Sequence, residues 1–280
     1  MKKNLLVSLL AICLAGALAG CGETKESPAA STPAESTPVA STPAESTPVE
    51  STAESTQENS GDEVKVLSYA EYVQAEVNSV VTVQTYVQAK QSWWNDQAVI
   101  YGQSQDGAIF LYNMPVSQDD YALLTPGTKL QVTGTKSEYR GEIEIADFTD
   151  VKILSGEDTF VATPTDLTSL IASDDLINHQ NEFASFKGLT VVNAAAEGEA
   201  EKAFTYKWDD SGDRGDDLYF KVSLEGTVYT FTVESYLCDK DSDVYKAVEA
   251  LTIGATIDVE GFLYWYNGLN PHITKVTVLK

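Results

Sequence analysis

The chain has 280 residues and a formal net charge of −24, with 42 Asp and Glu against 18 Lys and Arg. That length suffices for two domains with separate cores. From Gly61 onward 35 acidic residues face 15 basic ones, which excludes a generally phosphate-seeking surface, and three cysteines exclude a disulfide framework.

Residues 1–20 read as a signal peptide. Lys2 and Lys3 give a basic start, and Leu5 to Leu18 form an apolar run too short to remain as a transmembrane helix. Leu18-Ala19-Gly20-Cys21 resembles the lipobox of bacterial lipoproteins. The resemblance implies cleavage before Cys21, lipidation of that cysteine and an extracytoplasmic address on the cell membrane; an ordinary secretory signal cut nearby is the alternative. Residues 21–62 hold Cys21 and a low-complexity stalk of units such as Ser31-Thr32-Pro33-Ala34-Glu35. With no aromatic and almost no large aliphatic side chains, nothing offsets the entropy of ordering it. Its prolines favour extended conformations, in which about forty residues reach on the order of 100 Å. A disordered spacer is expected, with a composition that permits O-glycosylation.

From residue 63 the pattern turns to β. Ser68 with Glu71 has the spacing of a capping box at the start of a short helix. Val81, Val83, Thr85 and Val87 alternate with Thr82, Gln84, Tyr86 and Gln88 along a first strand. Ala98 to Gln103 and Ala108 to Tyr112 are the second and third, around Gln105-Asp106-Gly107. A short helix from Asp119 to Leu124 leads into LTPGTKLQVTGTKSEYRG, Leu124 to Gly141, which returns 127 positions later as LTIGATIDVEGFLYWYNG, Leu251 to Gly268. Leu124/Leu251, Thr125/Thr252, Gly127/Gly254, Val132/Val259, Gly134/Gly261, Tyr139/Tyr266 and Gly141/Gly268 are identical without a gap. Each copy reads as a turn, a strand, a bending glycine and a hairpin tip. Glu142 to Ile145 and Val151 to Leu154 complete the first sheet.

After Thr163-Pro164-Thr165-Asp166 the plan repeats on longer loops. A helix is expected over Leu167 to Asn178, then Phe186 to Val192 as strand one and Ala203 to Trp208 as strand two. Leu218 to Leu224 with Val228 to Val233 is expected as a broken strand three, followed by a helix from Asp241 to Leu251 and a last strand from Ile273 to Leu279. Three strands, a helix and a strand pair is the order of an OB-fold. The fold class is therefore mainly β: two tandem five-stranded OB-like barrels with short helices, at 63–160 and 161–280.

OB-folds bind across strands two and three, between the loops joining strands one to two and four to five. Those loops hold Trp93, Trp94, Tyr139 and Arg140 in the first module and Tyr264, Trp265 and Tyr266 in the second. Aromatic rings there suggest a stacking platform, and one member of each Trp93/Trp94 and Trp265/Tyr266 pair should face outward. Some could instead cap the cores. Between Asp209 and Asp217 five carboxylates crowd nine residues. Asp209, Asp213, Asp216 and Asp217 are candidate oxygen ligands for an optional Ca²⁺, although the spacing is not that of an EF-hand and a solvated loop is the simpler reading. Arg214-Gly215-Asp216 spells a cell-adhesion tripeptide, read here as coincidence. Cys238 reads as a small buried apolar residue. Glu142 and Glu144 read as solvation on an exposed strand. The two histidines, His179 and His272, fit no catalytic motif, so no enzyme and no required cofactor are expected.

Three features together resemble the small OB-fold domains of surface lipoproteins from Gram-positive anaerobes. They are Tyr86-Val87-Gln88-Ala89, the strand ending Tyr112-Asn113, and the Gly-x-x-Φ-x-Val-x-Gly unit followed by Tyr-x-Gly. The resemblance covers about 65–280 and implies a membrane-anchored binding or adaptor protein. Some relatives bind nucleic acid, an activity the acidic charge disfavours here, since Lys129, Lys136 and Arg140 form the only basic cluster. The leading expectation is a glycan, peptide or protein surface as ligand. The alternatives are a single-stranded nucleic acid binder and a structural spacer without a soluble ligand.

Overall fold

The computed structural model describes residues 64–280 apart from 155 and 157. The signal, Cys21 and the stalk therefore lie outside the described residues. The first barrel comprises α1 (Tyr69–Gln74), β1 (Val80–Lys90), β2 (Gln97–Gln103), β3 (Ala108–Pro115), α2 (Gln118–Leu123), β4 (Lys129–Tyr139) and β5 (Glu142–Leu154). Its strands close in the order β1-β2-β3-β5-β4, with β3 parallel to β5 and β1 antiparallel to β4. That is the OB-fold Greek key. The alternation read along β1 holds except at Thr82, which is buried on the other face against the Thr133 hydroxyl: Val81, Val83, Thr85 and Val87 are buried, and the valines join Ile100, Leu111, Leu130, Val132 and Ile145 in one core. The segments expected as two short strands after Gly141 form the single strand β5.

The second barrel comprises β6 (Thr165–Asp166), β7 (Phe183–Val192), β8 (Phe204–Tyr206), β9 (Leu218–Leu224), β10 (Thr227–Val233), α3 (Asp243–Glu249), β11 (Thr256–Phe262) and β12 (His272–Val278). Pairing runs β7-β11-β12-β10-β9 and returns to β7, with β10 parallel to β12. The same OB closure therefore occurs twice. Three expectations change. Strand two is β9 and strand three is β10, because Glu225 and Gly226, both at positive φ, make a two-residue hairpin rather than a break. The Ala203–Trp208 stretch becomes the short β8, an added edge on β9 inside the loop between strands one and two. The expected helix over Leu167 to Asn178 is instead two 3₁₀ turns, Thr168–Leu170 and Asp174–His179. Ser173 caps the second turn, and Leu167, Ile171 and Leu176 reach the core from this irregular segment.

The repeat has a backbone reason. Gly127 and Gly254 take φ of 90° and 88° at the turn into β4 and β11, a conformation that disfavours a side chain. Gly134 and Gly261 lie at the bulge where each of these strands crosses its partner. A Cβ at Gly134 would sit 2.7 Å from the Ala146 carbonyl oxygen, and one at Gly261 2.3 Å from that of His272. The apolar pairs Leu130/Ile257 and Val132/Val259 fill equivalent core positions.

The capping box at Ser68 and Glu71 is formed. The other end of α1 is held by Lys136, whose buried ammonium donates to the carbonyls of Tyr72, Val73 and Ala75 at 2.9, 2.9 and 2.8 Å. Lys136→Met keeps the aliphatic stem and strands three acceptors. It should cost about 3 kcal/mol, read as a lower denaturant midpoint; an unchanged midpoint would mean that water replaces the ammonium. No helix among the described residues is long and apolar enough to cross a membrane.

The two barrels dock through the outer face of β2. Val99 and Tyr101 from that face form a third apolar cluster with Phe110 and Phe262, and Phe183, Leu237 and Tyr264 pack against it. Tyr101 stacks on Phe262 at 4.5 Å between ring centroids. Polar contacts ring the cluster. Gln103 accepts from the Phe183 N–H at 2.8 Å, and Gln180 donates to the Gly141 carbonyl at 2.7 Å and accepts from the Ile143 N–H at 3.1 Å. Ser92 N–H donates to the Tyr236 carbonyl at 2.8 Å.

Candidate ligand cleft between the barrels

Docking decides which ligand face stays open. In the first barrel the outer surface of strands two and three, where an OB-fold ligand is expected, is covered: Val99, Tyr101 and Phe110 are all buried against the second barrel. In the second barrel the equivalent face borders an open cleft of about 690 Å³. Tyr219 on β9 and Thr232 on β10 form its floor. Trp208 and Asp217 come from the loop between strands one and two, and Tyr264, Tyr266 and Asn270 from the loop between strands four and five. Phe110 and Tyr112 of β3 close the side toward the first barrel.

The rings in this cleft are held from behind. Tyr264 stacks on His272 at 4.3 Å and meets Phe110 at 5.3 Å. Trp208 is 73 % exposed, an apolar surface that a ligand ring would cover. His272 is buried, and burial holds its imidazole down at about 3, so it is neutral at ordinary pH. Its Nδ1 lies 2.6 Å from the Tyr101 hydroxyl, which accepts from Gln91 Nε2 at 3.2 Å. With that oxygen accepting from Gln91, the Tyr101 hydroxyl donates its own proton toward Nδ1, which leaves the neutral imidazole protonated on Nε2. Nε2–H has no protein acceptor among the described residues and is left as a donor for the cleft.

The acceptors are carboxylates. Asp217 Oδ1 takes the Ser235 N–H at 2.8 Å and its hydroxyl at 2.7 Å, and Glu234 accepts from the Leu237 N–H at 2.8 Å. Burial, and then the Asp217 charge, push Glu234 up to about 7. Among the described residues no lysine or arginine lines the cleft.

No family model matches this chain, and no curated protein does. Among solved structures, the p204 HINb domain aligns over 73 % of this chain and 100 % of its own at 10 % identity and a TM-score of 0.32. The Ifi202 HINa domain in complex with 20-bp dsDNA aligns over 72 % and 98 % at 12 % identity, with a TM-score of 0.30. A replication protein A heterotrimer bound to ssDNA aligns over 78 % and 70 % at 10 % identity, with a TM-score of 0.26. Overlaps of this size carry no argument about this chain, whose barrels are assigned from their own strand pairing.

The structure sorts the residues singled out in the sequence. Tyr264 and Tyr266 line the cleft. Tyr139 stands beside Tyr266 at 6.2 Å, with the Arg140 guanidinium over both rings at 5.7 and 5.1 Å, so this trio extends the rim. Trp94 is 77 % exposed but is not in the cleft lining. Trp93 packs on the first core, its indole N–H donating to the Val116 carbonyl at 2.9 Å, and Trp265 packs on the second core. The inward-facing members of the two pairs are thus Trp93 and Trp265.

The acidic residues are sorted too. Asp209 holds Ser211, Asp216 accepts from the Asp213 N–H, and Arg214 pairs with Glu249 at 2.8 Å. Of that loop only Asp217 reaches the cleft. Among the described residues no group of three or more His, Cys, Asp or Glu is placed to hold a metal. The solvation reading of Glu142 and Glu144 is overturned. Glu142 is fully buried, and one of its oxygens accepts from the Trp265 N–H at 2.9 Å, because the second barrel closes over the start of β5. The basic cluster also disperses, since Lys136 is buried against α1. Cys238 is half-buried against the second core as a free thiol, and burial pushes it up to about 12. Trp208, Tyr219, Tyr112 and Glu234 are not marked as a site by the sequence, because the cleft needs the docked barrels. Only Trp208, an unexplained tryptophan beside an acidic loop, left a signal in the sequence.

Proposed function

We propose that this protein is a lipid-anchored, extracytoplasmic binding lipoprotein whose second OB barrel takes a glycan in the cleft against the first. The observation that carries the reading is the cleft itself, which sets an aromatic platform on the OB ligand face with polar groups at its edges and, among the described residues, no lysine or arginine. Sugar rings offer flat C–H faces for Trp208 and the tyrosines, and hydroxyls for Asp217, Glu234, Asn270 and His272 Nε2–H. The lipobox-like Leu18-Ala19-Gly20-Cys21 and the Ser/Thr/Pro stalk support the anchored, outward-facing placement. A phosphate backbone would meet Asp217 and Glu234 with no cation in the lining to offset them.

Tryptophan fluorescence tests this reading. Oligosaccharides should shift the emission, and Trp208→Ala should weaken binding at least tenfold, about 1.4 kcal/mol, without lowering the melting temperature. Quenching by a mixed-sequence single-stranded oligonucleotide that fades steeply with salt, with no response to sugars, would replace this reading with nucleic-acid binding. Silence towards both would leave the spacer role.

A further inference from the structure

The cleft holds two carboxyl groups, more acidity than a neutral sugar needs, and burial and the Asp217 charge push Glu234 up to about 7. Asp217 and Glu234 both line it, and neither has an ion-pair partner among the described residues. Each is held by backbone N–H groups rather than by a cation, Asp217 by Ser235 and Glu234 by Leu237. Their shared location is therefore costly while the cleft is empty of positive charge, since like charges in a partly desolvated site repel. Arg140, the cation at the rim, is stacked on Tyr139 and Tyr266 and is not in the lining. A ligand bringing its own cation would relieve the repulsion and gain charge-assisted hydrogen bonds.

The remaining groups say what that cation is attached to. A bare ammonium needs only a small cage, whereas this cleft measures about 690 Å³. It also offers donors: His272 Nε2–H, and the Asn270 amide nitrogen, since Asn270 Oδ1 already accepts from the Thr232 hydroxyl at 2.7 Å. Trp208 and Tyr219 present rings for a flat face. A polyhydroxylated ring with an amine uses all three kinds of group.

Building on the glycan reading above, we infer that the cleft selects glycans whose hexosamine units carry free, unacetylated amines, with the ammonium held by Asp217 and Glu234 and the ring stacked on Trp208.

The test is calorimetric titration of the full chain with four probes of matched length: a glucosamine hexamer, an N-acetylglucosamine hexamer, a glucose hexamer and hexalysine. The amino hexamer should bind at least tenfold more tightly than each of the others. Glu234→Gln, which keeps shape and can still accept from Leu237, should bring it to within about threefold of the neutral hexamers. Its melting curve checks that the fold is intact, and Asp217→Asn gives a second, independent reading of the same loss. If either neutral hexamer binds as tightly as the amino hexamer, the amine inference falls and the glycan reading stands. If hexalysine binds equally well, charge alone is being recognised and the inference falls. If no hexamer binds, both readings fall together.

Discussion

Raising the pH from 6.5 to 8 should destabilise this protein by roughly 3 kcal/mol, and Glu142→Gln should remove about half of that slope. Burial pushes Glu142 up to about 8, and Glu144 and Glu234 up to about 7. An acid raised on folding contributes its full stability only below its unfolded value of 4.5, and loses it as the pH climbs through the folded value. The native state holds these protons where the unfolded chain has released them, so stability falls with pH across that window. His272 has the opposite sense. Lowered to about 3 from 6.5, it weakens the fold as the pH drops below 6.5, so it leaves the upper window undisturbed. In the variant the amide replaces a protonated carboxyl and can still accept from the Trp265 N–H. Thermal melts at several pH values are the measurement, with a wild-type shift on the order of 5–10 °C. A flat wild-type profile, or a Glu142→Gln protein less stable than wild type at pH 8, would show that Glu142 is hydrated in solution.

Tyr101→Ala should cost about 3–5 kcal/mol and split one unfolding transition into two. Tyr101 is 2 % exposed, stacks on Phe262 and meets Phe110 edge-on at 5.2 Å. Its hydroxyl also supplies the partner of His272 Nδ1. Truncation empties the middle of the docking cluster and strands a buried ring nitrogen, while each barrel core stays intact. Scanning calorimetry should show a single cooperative peak for wild type and two for the variant. Because the cleft is built by both barrels, sugar binding should fall with the docking. A variant that loses stability yet still melts in one step would mean that the polar ring around the cluster suffices to couple the barrels.

Local pattern carried much of the fold into view. Alternation along β1 requires one buried face whatever it packs against, and Gly127/Gly254 and Gly134/Gly261 mark a turn and a close strand crossing that tolerate little else. The second barrel's strands are harder to tell apart by pattern than the first's. Glu225-Gly226 reads as a break inside a strand because hydrophobic period alone does not distinguish a bulge from a hairpin, and β8 reads as strand two because an edge strand alternates like any other. The site was less legible than the fold. Tyr264 and Tyr266 could be placed near a ligand from their loop, but Trp93 and Trp265 look identical to them in a string of letters.

The sequence by itself determined that this chain builds two barrels of one design, that both are acidic, and that a lipobox-like segment and a Ser/Thr/Pro stretch precede them. These follow from period, glycine placement and composition, all of which are local. Only the tertiary structure decided that the barrels dock, that docking covers the ligand face of the first and leaves that of the second open, and that Glu142 is a buried acid rather than a solvated one. The reason is that the outer face of a barrel strand carries no mark of what will cover it. Val99, Tyr101 and Gln103 on β2 fit solvent, a ligand or another barrel equally well until Phe262, His272 and Phe183 arrive from eighty or more residues away.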